Sequence, residues 1–202
     1  MFGIVEAAGW PIWFLIIASV IAVALILERL IALRSQRVSP LGLLDDLKIE
    51  IRHHGVNDAM LHRLEAGSPL GRVLAAGLKS TKGSSSVMKA SIEEEGRVVS
   101  HELERFLAAL GTIASISPLL GLFGTIVGMI EIFGVQNSIE NSSAALAHGI
   151  SIALYNTAFG LMVAIPSMIF YRYFRTRVDT LVIEMEQQAI KLIKVVHDVH
   201  RD

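Results

Sequence analysis

Apolar positions in this chain gather into three long charge-free runs, Trp10 to Leu27, Leu107 to Ile130 and Gly149 to Tyr171, of 18, 24 and 23 residues. An α-helix rises about 1.5 Å per residue, so about 20 such residues cross the hydrocarbon core of a bilayer. Each run therefore predicts a membrane-spanning helix. The first is close to the minimum length, opens with the interface-suited pair of Trp10-Pro11-Ile12-Trp13 and closes on Glu28-Arg29.

The polar stretches between the runs have patterns of their own. Between Arg29 and Arg105, breaks at Gly67-Ser68-Pro69 and at Thr81-Lys82-Gly83-Ser84-Ser85-Ser86 predict several short helices. Leu41, Leu44, Leu47 and Ile51 mark one amphipathic helix before His53-His54-Gly55. From Ser86 onward only Gly96 interrupts a helix-forming sequence, so the second span is expected to continue as a long helix outside the membrane. The third is expected to do so at its other end. Val178, Leu181, Val182, Met185, Ala189, Leu192, Ile193 and Val196 recur at three- and four-residue spacing there. That stripe is expected to pack on the chain's own cytoplasmic helices first, with packing on neighbouring copies as the second reading; the two are compatible.

Charge then orients the spans. Of the 18 Lys and Arg residues, 12 lie from Arg29 to Arg105 and 6 from Arg172 to Arg201, with none before Arg29 or between Glu131 and His148. Cations favour the cytoplasmic side. The expected layout is an outward N-terminus (1–9), a first span (10–27), a cytoplasmic helical loop (28–105), a second span (106–130), an outward connection (131–147), a third span (148–171) and a cytoplasmic amphipathic tail (172–202). Met1 to Gly9 carries Glu6 and no basic residue, unlike a cleaved signal peptide.

The small residues inside the spans narrow the function. Ser117, Gly121, Gly124 and Gly128 share one helix face, with Thr125 beside them. Gly149, Ala153, Asn156, Gly160 and Ala164 share another, with Thr157 adjacent, while Pro118 and Pro166 are placed to bend the two helices. Such stripes serve close helix packing. An amide deep in a span is costly without a partner, which points Asn156 toward a polar path. No Asp, Glu, Lys, Arg or His lies inside the charge-free runs. Hydroxyls can line a proton path, but holding the proton takes a titratable group. If this chain moves protons, that group comes from another polypeptide.

Ser117-Pro118-Leu119-Leu120-Gly121-Leu122-Phe123-Gly124-Thr125-Ile126-Val127-Gly128-Met129-Ile130 resembles the second-span signature of the MotA/TolQ/ExbB proton-channel family. Gly149 through Pro166, followed by Tyr171, is similar to its third-span signature, and Glu28-Arg29 fits the end of the first. The motifs occupy roughly a fifth of the chain, and their length and order make chance agreement improbable. Three spans rather than four point to the ExbB/TolQ branch and away from the flagellar stator type.

The resemblance implies an all-α bacterial inner-membrane protein that forms a homopentameric ring. The ring would surround an ExbD/TolR-like single-span subunit with a membrane Asp, and would drive a TonB- or TolA-like protein. By carry-over, Thr125 and Thr157 line the proton path. TonB-type import is the first reading; Tol-type envelope maintenance and a non-conducting scaffold are the alternatives. The chain departs from many relatives at Ile152, where they have Glu.

Composition removes other classes. There is no cysteine, hence no disulfide, thiolate metal site or catalytic thiol. Formal net charge is −1, which speaks against nucleic acid as a partner. No phosphate loop or nucleophile-base arrangement supports an enzyme, and no cofactor is expected. His53, His54 and His62, like His197 and His200, read as solvated side chains rather than a metal site.

Overall fold

The structure, a computed structural model, describes residues 9–80, 84–134 and 143–199. The described residues form eight helices and no strand. They are α1 (Ile12–Ala32), α2 (Ser35–Val38), α3 (Leu43–His54), α4 (Asp58–Gly67), α5 (Pro69–Lys79), α6 (Ser85–Glu104), α7 (Leu107–Gly134) and α8 (Ser143–Val199). Three helical stretches among the described residues are long and apolar enough to cross a membrane: Ile12–Ala32, Ser85–Glu131, which takes in α6 and most of α7, and Ala153–Val196 within α8. Glu6, most of the two segments expected to face outward, and His200 lie outside the described residues, as do the side chains of His148, Ile152 and His197.

The chain divides into two compact units. One comprises residues 1–28 and 106–173, and the other 29–105 and 174–202. In the first, α1 buries Ile12, Leu15, Ala22 and Ile26 along one face. Trp10 sets its ring edge-on to Phe123 of α7, with centroids 6.0 Å apart. Trp13, Ile17 and Val20 on α1, and Leu119, Leu122, Ile126 and Ile130 on α7, stay exposed. Bulky apolar side chains pointing outward over whole helix lengths suit a hydrocarbon solvent.

The second unit is a helical cluster whose helix starts and stops follow local chemistry. Asn57 caps α4 by accepting the Met60 N–H at 2.8 Å. Ser68 caps α5 by accepting from Gly71, with Pro69 in the first turn, as the Gly-Ser-Pro break predicts. Gly42, at φ 86°, opens α3, and Gly55, at φ 67°, closes it. Leu44, Leu47 and Ile51 are buried as the periodicity predicts, whereas Leu41 precedes that turn and is 92% exposed. Helix α5 is buried nearly all round, between α4 and α6.

Arg72 ties α5 to α6 by donating to Glu95 (2.7 Å) and Glu102 (2.6 Å). Its guanidinium is held above the ordinary range, chiefly by the bond to Glu102. Glu65 of α4 accepts from Lys79 of α5, which holds its carboxyl below the ordinary range.

Two expectations about long helices fare differently. The third does continue: α8 runs 57 residues without interruption through Pro166. The second does not, because α6 ends at Glu104 and α7 begins at Leu107, while Gly96 sits inside α6. The break is at Phe106, a non-glycine residue at φ 67°. That conformation costs roughly 1–2 kcal/mol for an L-residue. A break strands helix-end carbonyls. One of them, Leu103 O, accepts from Nη1 of Arg29 at 3.0 Å, and Arg29 is buried.

Candidate functional site

Helices α7 and α8 of the first unit meet along the two small-residue faces. Ser117 on one and Ala153 and Asn156 on the other are each 1% exposed, and Ala164 is buried beside them. The glycines set the spacing. A methyl on Gly160 would lie 2.6 Å from the Ser117 carbonyl oxygen and 3.1 Å from the Gly121 Cα. One on Gly121 would lie 2.7 Å from the Asn156 carbonyl oxygen and 3.0 Å from the Thr157 Cα. Both approaches are to backbone, which cannot swing aside. Gly128 has room, its nearest neighbour being Ala153 Cβ at 3.5 Å.

Asn156 fills the notch left by Gly124. A methyl there would lie 2.7 Å from its Cγ and 3.0 Å from its Nδ2. The Asn156 residue takes part in other interactions, and its Oδ1 is a buried acceptor with no hydrogen-bond donor placed on it among the described residues.

Within this contact the hydroxyls of Thr125 and Thr157 lie 2.6 Å apart. Thr125 Oγ1 is also 3.1 Å from the Gly121 carbonyl of its own helix and 3.2 Å from the Ala153 carbonyl of the facing one. Both threonines are half-buried. Ser117 donates to the Ile113 carbonyl at 2.7 Å, just before Pro118. Ser167 donates to the Val163 carbonyl at 2.7 Å, just after Pro166. Each proline removes one ladder donor from its helix, and the adjacent hydroxyl adds a bond to a nearby carbonyl.

The structure thus brings together Thr125, Thr157, Asn156, Ser117, Gly121, Gly124, Gly128 and Gly160, all singled out from spacing. Pro118 and Pro166 lie within α7 and α8 without ending them. Buried Ser167 is an addition. Its signal was present, since it continues the Asn156, Gly160, Ala164 progression by three residues. The Ala153 carbonyl is another, and no side chain announces it. No group of three or more His, Cys, Asp or Glu that could hold a metal occurs among the described residues.

A profile of the MotA/TolQ/ExbB proton channel family matches residues 65–187, more than half of the chain and all of this site. The chain belongs to that family. Relatives of the MotA/TolQ/ExbB chain include a biopolymer transport protein ExbB homolog of Methanothermobacter thermautotrophicus, 30% identical over 83% of this chain and 58% of the relative. The biopolymer transport protein ExbB of Aquifex aeolicus is 29% identical over 71% of this chain and 93% of its own. The Tol-Pal system protein TolQ of Pseudomonas aeruginosa is 37% identical over 50% of this chain and 42% of its own. The chain thus spans less than two thirds of the first and third of these proteins. The ExbB and TolQ names place it in the ExbB/TolQ-like branch of that family.

Proposed function

We propose that this chain is the ring subunit, homopentameric by family resemblance, of an inner-membrane motor driven by the proton-motive force. The observation that carries the reading is the Thr125 and Thr157 hydroxyl pair, 2.6 Å apart between two helices whose charge-free runs contain no Asp, Glu, Lys, Arg or His. Hydroxyls pass a proton without storing it, so the storing group is assigned to a membrane Asp on an ExbD/TolR-like single-span partner. Proton entry to that carboxyl along the threonine face neutralises it, and exit restores its charge. Alternation between the two forms changes how the partner sits in the ring. A proton crossing 100 mV releases about 2.3 kcal/mol, sufficient to bias a two-state assembly.

The cation distribution supports a cytoplasmic loop and tail, with the N-terminus and the 131–147 connection outside. Asn156 contributes polarity beside the pair. Energy then passes to a TonB-like protein for import. Relatives carry both ExbB and TolQ names, so a TolA-like partner in envelope maintenance is the second reading. Deletion in the host distinguishes the two, with lost import in one case and a leaking envelope in the other.

Native mass spectrometry of the gently purified complex tests the assembly. About five copies with a small single-span protein bearing a membrane Asp are expected, and an oligomer without such a protein would sink the proposal in favour of the scaffold. In liposomes, Thr157→Val is expected to cut proton flux at least about tenfold, the equivalent of losing one good hydrogen bond.

A further inference from the structure

Resting on that reading, we infer that the two threonines have unequal jobs: Thr157 meets the partner's carboxyl group, and Thr125 is a positioning residue that lets Thr157 switch between donor and acceptor. The inference follows from counting protons. Each hydroxyl has one hydrogen and two lone pairs. Thr125 Oγ1 has three partners within reach, the Thr157 hydroxyl and the carbonyls of Gly121 and Ala153. Thr157 Oγ1 has one hydrogen-bond partner among the described residues, the Thr125 hydroxyl.

Two arrangements satisfy the pair. In the first, Thr157 donates to Thr125, which donates to a carbonyl of either helix. Thr157 then presents only lone pairs to whatever lies beside it, and so accepts from a protonated carboxylic acid. In the second, Thr125 donates to Thr157, and the Thr157 hydrogen is released to an external acceptor, which a carboxylate is. A concerted rotation of the two hydroxyls thus matches the site to both forms of the partner's group. The reserve acceptors on Gly121 and Ala153 keep the Thr125 hydrogen satisfied in the first arrangement. Without Thr125, the Thr157 hydrogen loses its one partner among the described residues; the other internal acceptor, the Ala153 carbonyl one turn back on the same helix, is reached by turning the hydroxyl away, so the charged form of the partner keeps its donor while the neutral form loses its match.

The chain's own titratable groups are distant in sequence or of another kind. On α7 the next is Glu131, six residues beyond Thr125; on α8 they are Tyr155, two residues before Thr157, His148 and Tyr171; α1 has none before Glu28.

The test uses the complex with its co-purified partner in liposomes, with proton flux followed between about pH 5 and pH 8, where a perturbed carboxyl titrates. Thr125→Ser is expected to track the parent. Thr125→Val is expected to conduct with its pH profile moved to lower pH by about one unit, the size of one hydrogen bond lost by the neutral form. Thr125→Ala, which lacks the hydroxyl and adds no bulk, is expected to give the same shift should valine disturb assembly. A parental profile in both hydroxyl-free variants, or a Thr125→Ser profile shifted as far as theirs, would overturn the division of labour while leaving the proton path intact. Parental flux from Thr157→Val would instead remove the path itself.

Discussion

Gly121 and Gly160 act through what they lack. Their missing side chains allow backbone contact between α7 and α8, and that contact holds the Thr125 and Thr157 hydroxyls at bonding distance. Gly160→Ala places a methyl against a helix carbonyl that cannot move independently. It is expected to cost about 1–3 kcal/mol, typical of overpacking, and to lower flux along with the unfolding temperature. Gly128→Ala meets only ordinary contact and is expected to stay within about 0.5 kcal/mol of the parent. A thermal melt of both variants in detergent checks the contrast, and equal losses would refute it. Sequence spacing places Gly121 and Gly128 on one helix face and Gly160 on the stripe of the other helix, because helical periodicity depends only on position. Which of them is indispensable depends on the atom opposite, and that is set by the register of two helices. The Ala153 carbonyl was illegible for a plainer reason: every residue has one, so only geometry selects it.

At the scale of elements, the three spans were legible because a charge-free run of membrane length has few alternative fates. The cap at Ser68, inside the Gly-Ser-Pro break, and the stop at Gly55 were equally open to reading, since each residue solves a local bonding problem. The break between α6 and α7 was hidden. Phe106 is neither glycine nor proline, and the nearby glycine, Gly96, lies within a helix interior at a cost of only about 1 kcal/mol. Tertiary contact selects the break, and Arg29 belongs to that contact by supplying Leu103 O with a charged donor. Arg29→Met keeps much of the side chain's bulk and removes the donor. It is expected to destabilise the second unit by about 1.5–3 kcal/mol. Hydrogen exchange should rise first at the end of α6, and unchanged protection there would show that the bond contributes nothing.

In the whole molecule, the small-residue contact lies in one unit and the ion-paired helices α3 to α6 in the other. The amphipathic tail stripe, which in sequence fits either a neighbouring copy or the chain itself, is buried by the chain. Val178, Leu181, Met185, Ala189, Leu192 and Val196 are each no more than 7% exposed, while Val182 and Ile193 lie half-buried at its edges. Periodicity reveals that a face is covered but not by which helix.

The open spacing at Gly128 has a practical consequence of another sort. A Cβ there would stand 3.5 Å from that of Ala153, at the short end of the range a disulfide spans. The chain has no cysteine of its own to compete. The double substitution Gly128→Cys with Ala153→Cys is therefore expected to close on mild oxidation into a covalent staple between α7 and α8, read as a mobility change on a non-reducing gel. Flux that survives the staple and is unchanged on reduction would make the helix pair a rigid wall past which the partner moves. Flux that stops when oxidised and returns with a reductant would make the pair itself a moving part.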